Sequence, residues 1–524
     1  MKAFQKTDKY RAVMLRQGLV GLAVLALFAS SAFALQDGAA RTPPMGFNTW
    51  NYFGCNGCTQ ANILAVAKAM SLKHAANWEG KSLSLQDAGY KYINLDDCWE
   101  NGTGAHPNND TLKWDASRFP LGFIKLTDSL HHMGFKVGIY TCAGTSTCAG
   151  RPSSQGYEAM DGYTFVKWGF DYLKDDWCAV TNNATPQKAY TAMGDGITAA
   201  NKALNKSGFV FSLCSWGNGN PWTWGDQGAH LWRTTGDIKA NFSGSGAGSV
   251  QGNYILNYNE AQPYNGPGHW NDPDMLEVGN GLANATQDQA HFDLWCIAAA
   301  PLLMGNNTPS MSEATFTILS NREVLAVNQD SLGLAGHRVA GNGSGVDVYV
   351  KVMKTKDTTA QRIAAVCVVN WGSGSAAGQA ISWANLGEKN TSQTYRVRDL
   401  HAHTDLTTSA SGSYTTAAVP GTGTQMLLFT STSAVEVRDR ASLAGPMNIG
   451  KVLTRVNANA IECYVPHANS TVQVFSLSGK ELSSFSAPAA NWYKVNSRGL
   501  LGTYFVRITG GNFALEGKLP VFVQ

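Results

Sequence analysis

From about residue 41 to 329 the chain repeats one pattern: a short β-branched or aromatic run, a polar or acidic end, a glycine-rich loop, then a longer stretch with helical spacing. Alternation of this kind predicts a parallel sheet with crossover helices. Strand ends read at 46–50, 92–99, 137–141, 172–178, 209–214, 231–233 and 269–272, and an eighth, 301–305, follows the helical-looking stretch 287–300. Eight such units close a (β/α)8 TIM barrel, whose active site lies at the C-terminal ends of its strands. A doubly wound open sheet also alternates, but it usually has fewer strands, and no G-x-G-x-x-G follows a strand here. The glycines between Gly244 and Gly248 read as a flexible loop.

After about Leu334 the helical period disappears. Short alternating runs at 346–352, 364–370 and 425–429 lie between Gly, Ser and Thr turns, which predicts an antiparallel β-sandwich over 335–433. A small all-β domain is expected over 437–524, with runs at 472–477 and 502–508 and a turn at Ser478-Gly479. It carries no acid pair at a strand end, so the chemistry is assigned to the barrel, 41–330.

The first residues carry Lys2, Lys6, Lys9, Arg11 and Arg16, then an apolar run that closes on Ala32-Phe33-Ala34. Such a segment is expected to be a secretory signal over 1–34, since the run is short for a membrane span and ends in a cleavage-like A-x-A. No later segment is long and apolar enough for a transmembrane helix, and the expected location is secreted or cell-surface. Taking away five bases and one acid moves the formal charge from +3 to −1. A near-neutral chain with no Lys/Arg block gives no electrostatic case for nucleic acid or an anionic membrane. Fifteen Trp, 18 Tyr and 21 Phe suit either stacking on sugars or filling a barrel core. Ten cysteines in an exported chain point to disulfides rather than zinc, because the single C-x-x-C, Cys55 and Cys58, has no second pair to answer it. The histidines, including His131-His132 and His269, lack ligand spacing, so no metal or other cofactor is expected.

The chemistry is signalled by two strand ends, Asp96-Asp97-Cys98-Trp99 and Asp175-Asp176-Trp177-Cys178. A carboxylate at the mouth of a buried strand is costly to desolvate unless it is paired or used. A retaining sugar-cleaving site needs two carboxyl groups about 5–5.5 Å apart. Asp176 follows Lys174, whose ammonium favours an ionised nucleophile, and Asp237, four residues beyond Arg233 on a loop, suits a more exposed proton shuttle. Strand-end acids can equally be structural caps.

Six ordered motifs then match a known family: 43–51 with Phe47-Asn48-Thr49-Trp50, 95–99, Cys148-Ala149-Gly150, 172–176, 232–238 and 270–276 with Asp272-Pro273-Asp274. Between about 42 and 430 the chain resembles the α-galactosidases of glycoside hydrolase family twenty-seven. The resemblance implies a double displacement with Asp176 as nucleophile and Asp237 as acid/base. It implies that Asp96 and Asp97 hold the 4- and 6-hydroxyls of galactose, that Lys174 and Arg233 donate to ring hydroxyls, and that Trp50 and Tyr140 form aromatic walls. Cys148 and Asp274 match site-lining positions. Cys214 and Trp216 match the loop that senses the 2-substituent, in the form that excludes an acetamido group, although Ser215 beside them is small. The implied substrate is a galactose-containing oligosaccharide or polysaccharide. Related alternatives are a β-L-arabinopyranosidase, against which Asp96 argues, an α-N-acetylgalactosaminidase, and a non-catalytic galactose-binding protein.

The resemblance also implies the disulfides Cys148–Cys178 and Cys55–Cys98. Cys58 and Cys142 are left as a further candidate pair, and Cys214, Cys296, Cys367 and Cys463 read as buried thiols. Asp175 departs from the family, where an aromatic is usual, and strand alternation is expected to turn it away from the site. The last domain weakly resembles the C-terminal sorting modules of type IX secretion cargo, which would make secretion machinery a partner; a carbohydrate-binding module is the rival reading.

Overall fold

The computed structural model describes residues 38–432, except 108–109, 182–183, 355–361, 389–391 and 410–411, and the C-terminal strands between 454 and 521. The leader 1–34 and the Ser478-Gly479 turn lie outside the described residues, as does the side chain of Cys463.

All eight expected barrel strands are present. They are β1 Met45–Asn48, β2 Tyr92–Asn94, β3 Lys136–Cys142, β4 Tyr172–Asp176, β5 Val210–Cys214, β6 Leu231–Arg233, β7 Trp270–Asp272 and β8 Leu302–Met304. They pair in parallel in the order β7-β6-β5-β4-β3-β2-β1-β8. β7 and β8 are joined through Leu276, whose N–H donates to Leu303 O (2.8 Å) and whose carbonyl accepts from Gly305 N (3.0 Å). Strands buried on both faces read as nearly continuous apolar runs, which is why periodicity alone finds them.

The two faces still divide by alternation. Tyr92, Tyr172, Val210, Leu231 and Trp270 form one buried cluster inside the barrel. Phe47, Ile93, Val137, Leu173, Phe211 and Trp232 belong to the larger core between the strands and the surrounding helices. Along β4, Tyr172, Lys174 and Asp176 therefore share the inner face, and Leu173 and Asp175 the outer one.

A six-stranded antiparallel sheet follows, ordered β14-β13-β16-β11-β10-β9, where β9 is His337–Ala340, β10 Val346–Met353, β11 Ile363–Asn370, β13 Tyr395–Asp399, β14 Thr404–Ser409 and β16 Gly423–Ser431. β12 (Ala380–Ser382) and β15 (Ser413–Thr415) pair beside it around a core that includes Val366, Trp383, Tyr395 and Phe429. The helix Ala285–Ile297 is buried between barrel and sheet, and its Asp293 accepts from His401 Nε2 (2.9 Å) and Thr424 Oγ1 (2.6 Å).

Residues Met1–Val435 form one compact unit and Glu436–Gln524 a second. The second is antiparallel β, a three-stranded sheet beginning at Thr454–Asn457 and a four-stranded sheet ending in the pair Gly502–Gly510 and Phe513–Val521. Among the described residues no helix is long and apolar enough to cross a membrane, and no group of three or more His, Cys, Asp or Glu could hold a metal ion.

Candidate active site

β2 ends at Asn94, so Asp96 and Asp97 stand on the loop beyond it, and Cys98 takes a left-handed backbone (φ 80°). Released from strand alternation, both acids turn inward and both are fully used. Asp96 Oδ2 accepts from Lys174 Nζ (2.8 Å) and from Asn48 Nδ2 (2.8 Å), while its N–H donates to Thr49 Oγ1 (3.0 Å). Asp97 accepts from Thr147 Oγ1 (2.8 Å) on one oxygen and from Ala149 N (2.8 Å) on the other. Burial pushes the Asp97 carboxyl above the ordinary range, and these bonds oppose it.

At the end of β4, Asp176 is 6% exposed. Its Oδ2 accepts from Tyr140 O–H (3.2 Å) and its Oδ1 from Trp177 N (3.0 Å), with Lys174 Nζ at 3.8 Å. Burial raises its pKa more than Lys174, the strongest opposing influence, lowers it. Lys174 favours the ionised form as expected, but burial outweighs it. Tyr140, expected as an aromatic wall, lies beside this acid. It is 1% exposed, its hydroxyl serves Asp176, and Lys174 Nζ lies 5.2 Å from its ring centre.

Arg233 ends β6 and clamps two acids. Its Nη1 is 3.0 Å from Asp274 Oδ1, and its Nη2 donates to Asp237 Oδ1 at 3.0 Å and to Thr235 O at 3.1 Å. Asp237 opens to solvent, with 65% of its side chain exposed. Partial burial in the concave mouth raises its pKa, but Arg233, then Lys174, outweigh this and hold it below the usual carboxylate range. Asp274 is buried at φ 91°, and its Oδ2 accepts from Ile238 N (2.8 Å), which fixes the loop carrying Asp237. Its own pKa is raised by burial against Arg233. Beneath it, burial pushes Asp272 up to about 6.

Cys214 is fully buried and its Sγ accepts from Arg233 Nη1 (3.5 Å), whereas Trp216 is half-buried at φ 55°. Gly217 follows at φ 86°, where a Cβ would meet Thr234 O at 2.6 Å, so only glycine turns the chain back under β6. Left-handed non-glycine residues thus recur at Cys98, Trp216 and Asp274, and strain of this kind collects at functional sites. Trp50 is half-buried at the start of the helix Trp50–Gly57, its N–H donating to Asn48 Oδ1 (2.8 Å).

Both disulfides form, Cys55–Cys98 and Cys148–Cys178. Cys148 pins the hairpin that holds Asp97 to the loop leaving Asp176. Cys58 and Cys142 do not pair. Each is a buried thiol directed at a different carbonyl, Asp96 O (3.7 Å) and Cys178 O (3.1 Å). Cys214, Cys296 and Cys367 are buried free thiols as expected.

Sequence reasoning missed three contributors: Asn48 on Asp96, Thr147 on Asp97, and Glu277. Glu277 accepts from Asn280 Nδ2 (2.6 Å) and from Asn51 Nδ2, and burial takes its pKa up to about 7. Asn48 carried a signal, as a buried amide at the last position of a strand. Thr147 carried none, since its partner is 50 residues away.

Residues 42–330 match the family model described as Alpha galactosidase A, and 343–429 match the Alpha galactosidase C-terminal beta sandwich domain. The chain belongs to the α-galactosidase family. Alpha-galactosidase A of Cellvibrio japonicus is 40% identical over 349 residues, covering 65% of this chain and 81% of the relative. An α-galactosidase of Coffea arabica is 40% identical over 374 residues, or 70% and 89% of the two chains. Among solved structures, α-galactosidase I from Mortierella vinacea superposes with a TM-score of 0.67 at 33% identity, covering 77% of this chain and all of that one. As a member of the α-galactosidase family, the protein is a glycoside hydrolase, with the barrel and sandwich of its relatives.

Proposed function

We propose that the protein is a retaining α-galactosidase that releases terminal α-linked galactose from oligosaccharides or galactomannan, with Asp176 as nucleophile and Asp237 as acid/base. The observation that carries this is the contrast between a sequestered Asp176 at the end of β4 and a solvent-open Asp237 held by Arg233 beyond β6. Asp176 attacks the anomeric carbon while Asp237 gives its proton to the departing oxygen. Asp237 then takes a proton from water, which attacks the same carbon and frees Asp176. Asp96, Asp97 and Lys174 supply a fixed donor and acceptor set for the 4- and 6-hydroxyls.

In the free enzyme the two acids are set against their roles, the nucleophile raised and the proton donor lowered. Only a fraction of molecules then carries the productive pair of protonation states, and a substrate hydroxyl that draws on Arg233 shifts Asp237 toward its acidic form. Ser215 gives no support to an N-acetylgalactosamine pocket, because it is fully buried and its Oγ donates to Asn218 O (2.9 Å). Export on the leader 1–34, with the 437–524 domain as a secretion sorting module, completes the reading; its support is the A-x-A site and the resemblance of that domain.

The test is p-nitrophenol release from the α-galactoside, the β-L-arabinopyranoside and the α-N-acetylgalactosaminide, with the anomer of the first product followed by NMR. Galactoside cleavage yielding α-galactose is expected. Preference for either other sugar, or β-galactose as first product, refutes the assignment.

A further inference from the structure

Beyond Asp274 the chain enters the closing seam of the barrel, where Leu276 bridges β7 and β8, and the next residue is Glu277. Glu277 is 2% exposed. Its Oε2 accepts from Asn280 Nδ2 (2.6 Å) on its own loop, and its Oε1 accepts from Asn51 Nδ2, across the seam just after β1. Its N–H donates to His291 Nε2 (2.9 Å) on the helix Ala285–Ile297, which fixes the loop from behind. The partners of this carboxyl are two neutral amides rather than a cation. Burial pushes its pKa up to about 7 against those amides, and Asp274 adds to the rise. A buried acid held this way costs stability that an apolar side chain of similar size would not. What it supplies instead is a pair of acceptors that ties together two segments 226 residues apart.

Asn51 is the second residue of the helix Trp50–Gly57, and that helix is weakly held. Its N-cap, Thr49, makes no side-chain cap bond, its backbone leaves helical geometry at Gly54 (φ 54°), and none of its residues is buried. The disulfide Cys55–Cys98 anchors it only beyond that break. Before the break, Tyr52 O–H accepts from Asn307 Nδ2 (2.8 Å) at the surface, and Asn51 makes the inward tie to Glu277. Gly305, just after β8, leaves room for this tie, since a Cβ there would meet Asn51 Cβ at 2.9 Å.

The first residue of this turn is Trp50. Its N–H donates to Asn48 Oδ1 (2.8 Å), and Asn48 Nδ2 donates to the Asp96 oxygen that also holds Lys174. The half-buried indole thus springs from the same short segment that orders the acids of the mouth. An aromatic face there suits the C–H face of a sugar, provided its angle is fixed. We infer that Glu277 is a positioning residue, which through Asn51 fixes the first turn of the helix and so the angle at which Trp50 meets the sugar. The inference rests on the proposed function for what the indole meets and on these contacts for the clamp.

Glu277→Leu removes both acceptors. On p-nitrophenyl α-galactoside its KM should rise about tenfold while kcat stays within about twofold. Asn51→Ala cuts the same bond from the other side and should do likewise, which keeps the test open if the first variant folds poorly. Glu277→Gln recovers most of the loss, because the Asn51 amide can turn its oxygen toward the new amide. In a Trp50→Ala background Glu277→Leu adds nothing further, since the residue it acts through is gone. An unchanged KM, a matching fall in kcat, no recovery with Gln, or an added loss in the Trp50→Ala background overturns the inference. A wild type inactive on the galactoside refutes the proposed function instead. In that event hydrogen exchange over residues 46–57 decides the clamp: faster exchange in Glu277→Leu but not in Glu277→Gln supports it, and any other pattern overturns it.

Discussion

The two acid pairs at the ends of β2 and β4 look alike in sequence and are built on opposite principles. Asp96 and Asp97 lie beyond their strand, on a loop turned by Cys98, and each has protein donors on its carboxylate. Asp175 and Asp176 lie within their strand, so alternation sends one into the barrel and the other into the helix layer behind it. Whether two neighbouring acids can serve one site is therefore decided by where the strand stops.

The sharpest way to break this contrast is at Asp176. Asp176→Asn keeps size and most hydrogen bonds but removes the proposed nucleophile, and loss of at least about 10⁴-fold in kcat is expected. Loss of only about tenfold would move the chemistry to another acid. At the β2 end the expected effect is smaller. Thr147→Val removes one of the two hairpin donors to Asp97, and KM for the galactoside should rise about tenfold with kcat nearly unchanged. A matching loss in kcat would place Asp97 in the chemical step rather than in recognition.

The pH profile tests the other partner in the reaction. Because Arg233 holds Asp237 low while burial holds Asp176 high, the acid limb of kcat/KM should follow Asp237 and the alkaline limb Asp176. Arg233→Met removes the influence on Asp237 and should move the acid limb to higher pH, alongside any loss of binding. An unmoved limb would assign it to a different group.

Much of this was legible in the chain. Eight buried strands announce themselves as apolar runs, and the loop residue Asp274 sits in a motif, 270–276, that fixes its position. What stayed hidden was non-local. The hairpin that holds Asp97 and the hydroxyl of Tyr140 on Asp176 both arise between segments far apart in sequence, where no period or spacing records the contact. The raised pKa of Asp176 has a similar origin, since it comes from burial by the surrounding fold, which outweighs Lys174 two residues away along the chain.

Asp175 yields the smallest effect on activity and the clearest physical contrast with Asp176. It is 1% exposed, and neither carboxyl oxygen has a protein hydrogen bond. Burial, then Asp176, Glu158 and Asp161, raise its pKa well above the ordinary value. The unfolded chain ionises this group from about pH 3.9 while the folded chain resists. Its contribution to stability is therefore fully present below that pH and is lost as pH rises toward the folded value. Asp175→Leu abolishes this loss and replaces an unpartnered acid with an apolar side chain. The variant should be more stable by about 1–3 kcal/mol at pH 7, with the gain shrinking toward pH 3, and with kcat unchanged. Urea unfolding at the two pH values measures it. A less stable variant at pH 7 would mean that the outer face of β4 uses this carboxyl after all, and the division between the inner and outer acid would fall with it.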